Sequence, residues 1–482
     1  MKLAGIIAEY NPFHNGHAYH IAETRRLTGC DYVVVVMSGN FTERGLPAVI
    51  DRHTRAEYAC LGGADLVIEL PLSYAVSSAE TFAAGGVRVL TEIGAEWISF
   101  GAENPFAAEN TFFPADLASP NRPEASRNAG RNIHNSTHVE SAFCEDTAVP
   151  MEPMNRLADL LTAEPAEYRR ELKTALANGL SYPVARRRAV SEIDPSLAPL
   201  LDTPNNILAI EYLKAIRKQQ SPLRPVGILR NGAGYHDTEL SGFASASGIR
   251  KAFSEYVNYA VSDAEYDNIV FHAPSSRTEG MNPAFSENAV SELTGALPPN
   301  LRENYLGFLS AIQNHRGHLP SADDYSDFLY LRLKELQENN YSDLSDELFN
   351  RIRKLSAGCE TFSEIAAAVK NKSVTRSHID RALLAITLGL TKDYTDAWEN
   401  ALPYLTVLSC RNDAKTLLGE ICRNSQVPFL VRTAKDSASL PESAKRLYAA
   451  ETAANELYRR AYKKATGIAL ACDSGRKFTT VS

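Results

Sequence analysis

Short apolar runs recur along the first hundred residues, at 3–8, 32–37, 65–70 and 96–100. Between them, residues 17–27, 52–61 and 78–90 carry apolar positions at helical spacing. Runs this short and this continuously apolar suit strands covered on both faces. Their alternation with helices predicts βαβ units and a parallel sheet. In open sheets of that kind ligands bind beyond the carboxyl ends of the strands. Polar residues gather at that edge: His14 and His17 after the first run, Ser38-Gly-Asn40 after the second, Glu69-Leu-Pro71 after the third and Phe100-Gly-Ala-Glu103 after the fourth.

The pattern changes near residue 104. Residues 104–150 are rich in Asn, Ser, Pro, Glu and Ala without a sustained apolar period, which reads as an inserted polar surface segment. His134, His138 and Cys144 fall inside it and read as solvated residues, not as a metal site. Helical spacing resumes at 154–161, 165–177 and 206–218, followed by a strand-like run at 224–230. Beyond about residue 262 the periodicity is helical, at 324–339, 345–355, 379–388 and 441–465. The expected architecture is α/β: a Rossmann-like parallel-sheet domain over 1–260, then a mostly α-helical region over 261–482.

Composition narrows the class. The 482 residues are 44% hydrophobic and 22% charged, ordinary for a soluble globular chain. No apolar run could span a bilayer, and Glu9 interrupts the first apolar stretch, so neither a membrane anchor nor a signal peptide is expected. Seven scattered cysteines without a C-x-x-C pair argue against a disulfide framework or a zinc ribbon and for reduced thiols in a cytoplasmic protein. A net charge of −8 gives no global attraction to nucleic acid. Any such contact must come from local basic clusters, which occur at 186–188, 351–354, 370–381 and 459–464.

The chemistry concentrates in His14-Asn-Gly-His17. Asn11-Pro12 breaks the first strand, Gly16 lets backbone approach a ligand, and the helix that follows points free N–H groups into the same space. Two imidazoles there add donors suited to an anion. The local pattern alone also admits a structural role, or a metal site extended by His20, although no Cys or carboxylate stands at a supporting spacing. A second segment, Ala244-Ser-Ala-Ser-Gly-Ile-Arg250, puts hydroxyls and an arginine at a helix start. It is either a phosphate contact or a plain serine cap. Neither G-x-G-x-x-G after the first strand nor a P-loop is present.

The histidine pair with the later Ser245-Ala-Ser-Gly-Ile-Arg250 resembles the H-x-G-H nucleotidyltransferase superfamily. The segments Glu9-Tyr-Asn-Pro-Phe-His-Asn-Gly-His17, Val36-Met-Ser-Gly39, Arg44-Gly-Leu-Pro-Ala48, Gly63-Ala-Asp-Leu-Val-Ile-Glu-Leu-Pro71, Thr203-Pro-Asn-Asn-Ile-Leu208 and Gly232-Ala-Gly-Tyr-His-Asp237 together resemble the tRNA(Met) cytidine acetate ligase family. Weaker likeness continues in 372–381 and 404–408. Leu46 departs from the acidic residue expected there, and Ala246 removes one hydroxyl of the phosphate segment.

The resemblance implies that the first 260 residues form a nucleotidyltransferase domain that activates acetate with ATP as acetyl-adenylate. The acetyl group then passes to N4 of the wobble cytidine of elongator tRNA(Met). It implies catalytic roles for His14, His17 and Arg250. Implied ATP contacts are Ile7, Ala8, Glu9, Tyr10, Asn11, Pro12, Phe13, His14, Asn15, Gly16, His17, Ala18, Tyr19 and His20. Gly101, one or both of Asn205 and Asn206, Arg230, Ser245 and Ser247 complete that set. Mg2+ is the expected companion of the triphosphate, with no protein ligand identifiable. A tRNA substrate needs phosphate contacts, for which Lys370, Lys372, Arg376 and Arg381 are the candidates in the helical half. The competing readings are a nucleotidyltransferase acting on a small phosphorylated metabolite and a non-enzymatic RNA-binding protein with a relic ATP pocket.

Overall fold

The computed structural model describes residues 1–103, 147–230, 244–258, 287–473 and 478–481. His134, His138, Cys144 and the segment Gly232–Asp237 lie outside the described residues, as does most of the 104–150 segment.

The predicted runs form strands β1 (Leu3–Ala8), β2 (Tyr32–Ser38), β3 (Leu66–Leu70), β4 (Trp97–Ala102) and β5 (Arg224–Leu229). They pair in parallel, in the order β5-β4-β1-β2-β3. Alternate residues along each strand serve opposite faces, the period of two expected of a pleated strand. Leu3 and Ile7 of β1, with Val34 and Val36 of β2, join the core under the helices Ala79–Glu92 and Pro204–Gln219. Ala4 and Ile6, with Val33, Val35 and Met37, join the core shared with Asn15–Thr28, Arg52–Leu61 and Ala246–Asn258. Gly5 allows the first of those faces to close: a Cβ there would lie 2.2 Å from Leu90 Cδ2.

From β1 the chain runs outward to β2 and β3, then returns to the other side of β1 for β4 and β5. Such a reversal opens a crevice at the carboxyl ends of the two strands flanking it. That crevice lies between β1 and β4, where His14 and Gly101 follow.

Two segments differ from the sequence reading. Thr147 and Val149, assigned above to a polar surface segment, are buried beside β5, with Val149 N–H donating to Gly227 O (3.0 Å). The helical C-terminal half also supplies strands β6 (Leu405–Arg411), β7 (Phe429–Leu430) and β8 (Thr479–Val481) to the same sheet. β6 adds antiparallel to β3. A five-residue apolar run among helices is not distinguishable from a buried helical turn by period alone, so β6 had no signal of its own.

The C-terminal half also clasps the loops that leave β1 and β2. Tyr305 Oη donates to Phe13 O (2.7 Å), Asn15 Nδ2 to Gly295 O (2.7 Å) and Tyr458 Oη to Ala48 O (2.9 Å). Gly45 has φ +74°, and a Cβ there would sit 2.4 Å from Arg381 N, so the loop after β2 lies directly on the helix Arg376–Leu388. Among the described residues no helix is long and apolar enough to cross a membrane.

Candidate active site

Arg55 organises the site from beneath. Its guanidinium is fully buried and donates to Ile50 O (2.9 Å), Ser38 O (3.2 Å), Glu9 O and Gly39 O. One side chain thereby ties together the ends of β1 and β2. The chain leaves β1 through Tyr10 at φ +48° and a cis Asn11–Pro12 peptide. Asn11 is held on both sides, its Oδ1 accepting from Val49 N–H (2.9 Å) and its carbonyl from Arg250 Nη1 (2.6 Å).

The two histidines form the cap of the helix Asn15–Thr28. Gly16 N–H donates to His14 Nδ1 (3.1 Å), and His14 N–H donates to His17 Nδ1 (3.3 Å), a capping box built from imidazoles. Their ring centroids lie 3.7 Å apart. Because both Nδ1 atoms accept, the neutral rings carry their proton on Nε2. Each ring therefore keeps one outward N–H donor. His20 Nε2 instead meets Ser99 Oγ at 3.0 Å.

Burial sets the charge of these rings. Desolvation, followed by the charges of Arg230 and Arg250, pushes His14 down to about 3. Desolvation and Arg230 take His20 down to about 4, and His17 lies well below its ordinary value for desolvation first, then His14, Arg230 and His20. All three are neutral at pH 7. The unfolded chain, with imidazoles near 6.5, binds more protons than the folded one below that pH. Stability is thus full above about pH 6.5 and is lost as pH falls. Denaturant midpoints measured from pH 7 to pH 5 are expected to drop, at a limiting rate of about 1.4 kcal/mol per pH unit for each imidazole. The Glu43 and Glu451 carboxyls, each pushed up to about 7 by burial first, gain protons on folding and oppose part of this drop, so a midpoint that rises toward pH 5 would contradict the neutral assignment.

Around the cap lies a cleft of about 910 Å³, within the range of ligand pockets. Its wall includes Ile7, Ala8, Glu9, Tyr10, Asn11, His14, Gly16, His17, Tyr19, His20, Gly101, Asn205, Arg230 and Arg250, all singled out from sequence. Pro12, Phe13, Asn15, Ala18, Asn206, Ser245 and Ser247 are not in the wall. Ser245 Oγ accepts from Gly248 N–H (3.1 Å) as a helix cap, and Ser247 Oγ accepts from Arg250 Nη2 (3.1 Å), steadying that guanidinium. Asn206 is fully buried, its Oδ1 accepting from Glu103 N–H (2.9 Å) and its Nδ2 donating to Glu103 O (3.1 Å).

Of the basic candidates in the helical half, Arg381 reaches the cleft and faces Glu43 and Asp343 at 3.5 Å each. Lys370, Lys372 and Arg376 lie off it, with Arg376 paired to Asp380 (2.8 Å). Sequence reasoning missed Glu43, Tyr212, Ser373, Thr375, Ser377 and His378 as wall residues. Local signals existed in Arg44, next to Glu43 in a quoted motif, and in the weaker family likeness of 372–381, which holds Ser373, Thr375, Ser377 and His378. Among the described residues no group of three or more His, Cys, Asp or Glu side chains could hold a metal ion.

Parallel strands with paired histidines and arginines at their switch point gather donors suited to an anion, and the family described as HIGH Nucleotidyl Transferase matches residues 1–136 and 126–469. A tRNA(Met) cytidine acetate ligase of Caldanaerobacter subterraneus subsp. tengcongensis is 33% identical over 467 residues, 96% of each chain. One of Acetivibrio thermocellus is 30% identical over 470 residues, again 96% of each. The chain belongs to the tRNA(Met) cytidine acetate ligase family of the HIGH nucleotidyl transferases. The fold agrees along the whole length with Thermotoga maritima TmcAL solved with alpha-thio ATP, at TM-score 0.74, 23% identity and 100% of each chain covered. The apo form of that protein matches at TM-score 0.74 and 24% identity.

Proposed function

We propose that this chain activates acetate with ATP and acetylates N4 of the wobble cytidine of elongator tRNA(Met). Family membership supports the overall reaction, and the observation that supports its first step is the neutral His14–His17 cap facing Arg230 and Arg250 across one cleft. Acetate attacks the α-phosphorus of ATP, a P–O bond forms to the carboxylate oxygen, and the bond to pyrophosphate breaks. Negative charge grows on the α-phosphate oxygens and on the leaving group. Fixed donors aimed there lower the barrier without reorganising. His14 and His17 supply Nε2–H donors, and the helix Asn15–Thr28 adds the positive end of its dipole, although its first N–H groups are taken by Ala296 O, His14 Nδ1 and His14 O; the two arginines neutralise the departing pyrophosphate.

ATP is the substrate, as alpha-thio ATP is the ligand of the Thermotoga maritima neighbour. A magnesium ion accompanying it would draw its oxygens from phosphates and water, since no protein cluster is present to cage it among the described residues. The acceptor tRNA approaches over Arg381 and the loop bearing Lys370 and Lys372, which are exposed and border the cleft wall at Ser373. Residues 1–260 carry the activating site in this reading, and the helical half the tRNA contacts.

Geometry also separates the adjacent asparagines. Asn205 lines the cleft and donates to Glu103 Oε1 (2.5 Å), whereas Asn206 is spent on the Glu103 backbone. Asn206→Ala leaves two buried backbone groups unpaired and is expected to lower stability by about 1–3 kcal/mol in a denaturant titration. Asn205→Ala is expected to leave that midpoint in place and raise the KM for ATP. The reverse pattern would move the nucleotide contact to Asn206.

Acetate-dependent exchange of labelled pyrophosphate into ATP tests the first step. Exchange without tRNA is the expected result. Its absence from folded enzyme, with a phosphorylated metabolite supporting exchange instead, would favour the small-molecule nucleotidyltransferase.

A further inference from the structure

The cleft is not uniformly built for anions. Glu9, Glu43 and Tyr212 line the same cleft as the histidines. Glu9 Oε1 accepts from Glu43 N–H (2.7 Å), which fixes the Glu9 side chain at the carboxyl end of β1. The Glu43 carboxyl is pushed up to about 7 by burial, with Glu9 and Asp343 adding to the rise while Arg381 and Arg44 oppose it. Tyr212 is 2% exposed, and its hydroxyl has no hydrogen-bond partner among the described residues. Burial raises that hydroxyl, and the charges of Glu9 and Glu43 raise it further, so the three groups share one field.

Carboxylates repel a triphosphate and repel acetate. They accept from N–H donors, and an unpaired buried hydroxyl marks a polar group waiting for a ligand. The reactants of the proposed transfer carry two exocyclic amines, that of adenine and that of the cytidine; only the cytidine amine must lose a proton, and a carboxylate accepting from cytosine N4 is a familiar pairing.

The geometry points to Glu9 as the general base of the acetyl-transfer step, with Glu43 and Tyr212 completing a subsite for the exocyclic amine of the flipped-out cytidine. This rests on the proposed function above. The N4 lone pair attacks the acetyl carbonyl carbon, forming the C–N bond. The bond from that carbon to the adenylate oxygen then breaks, its electron pair leaving with AMP. The proton lost from N4 passes to the Glu9 carboxylate and on to water. The amine lone pair is delocalised into the pyrimidine ring, so it is a poor nucleophile and gains from proton removal as the bond forms. A placed base is worth about 10²–10⁴-fold in such a step.

The test uses the full-length chain and reads the two half-reactions separately, as acetate-dependent ATP–pyrophosphate exchange and as acetyl transfer to tRNA. Glu9→Gln keeps an oxygen to accept from Glu43 N–H, so the loop is retained. Glu9 also stands among the implied ATP contacts, so its variant is read as the ratio of transfer to exchange, which is expected to fall about 100-fold or more whatever the exchange itself does. Single-turnover transfer from synthetic acetyl-adenylate shows the same loss. Tyr212→Phe, which removes only the hydroxyl, is expected to lower transfer severalfold and leave exchange alone. Exchange falling in step with transfer in Glu9→Gln, which leaves their ratio within threefold of wild type, would make Glu9 a nucleotide contact only and overturn the assignment. Transfer within threefold of wild type would also overturn the assignment. The wild-type enzyme's own exchange and transfer report on the proposed function, and only their ratio in the variants reports on Glu9.

Discussion

His17→Ala is expected to lower acetate-dependent ATP–pyrophosphate exchange by about 10²–10³-fold, equivalent to about 2.7–4 kcal/mol of transition-state stabilisation. Two functions meet in this ring. Its Nδ1 accepts from His14 N–H and closes the helix cap, which leaves Nε2–H as the donor toward the cleft. Removing the ring therefore also costs a cap, about 1 kcal/mol of stability. Replacement by Asn separates the two effects. Asn can accept the same backbone N–H, so His17→Asn should recover most of the lost stability and little of the lost exchange. If His17→Ala retained full exchange in a folded protein, the histidine pair would be a structural cap only, and the mechanism would lose its principal donor.

Glu69→Ala is expected to destabilise the whole protein by about 3–5 kcal/mol, seen as a lowered urea midpoint. Arg52 Nη1 meets Glu69 Oε1 at 2.5 Å and Oε2 at 2.6 Å, and its Nη2 meets Asp473 Oδ2 at 2.8 Å. The Arg52 side chain is only 6% exposed and that of Glu69 10%. Removing the carboxylate leaves a buried guanidinium with one partner in place of two. Asp473, still present, sets the loss toward the lower end of the range. Replacing the pair together, as Arg52→Met with Glu69→Leu, should recover much of the loss, because burying two charges is itself costly. The pair also carries a connection to the site, since Asn40 Oδ1 accepts from Arg52 N–H (2.9 Å) and anchors the loop after β2. Exchange activity should then fall in the single variant at temperatures where the protein remains folded. An unchanged midpoint would show that Asp473 alone compensates Arg52.

The parallel half of the sheet was legible because its strands are short apolar runs separated by amphipathic helices, and His14, His17 and Gly101 sit where such runs end. β6 was not legible. Leu405–Arg411 mixes Thr406, Ser409 and Arg411 with its apolar residues, it lies among helices, and its partner β3 is more than three hundred residues away. Arg250 could be placed beside the histidines only through its motif, and the structure adds what the motif cannot express, a bond to Asn11 O. Glu43, Tyr212 and His378 reach the cleft through tertiary packing from three separate elements, so no local spacing joins them. Arg55 has no motif at all, yet it holds the ends of two strands together. Asn205 and Asn206 differ in that one lines the cleft while the other is spent on the Glu103 backbone, a difference that no composition or period encodes.

The account is tested most directly by incubating the full-length protein with labelled acetate, ATP and tRNA, then digesting the tRNA to nucleosides. It predicts label in N4-acetylcytidine, dependent on ATP, confined to the wobble position of elongator tRNA(Met) and lost with His17→Ala. Folded, ATP-binding protein that leaves the tRNA unlabelled, or that places the label in a small metabolite, would contradict it.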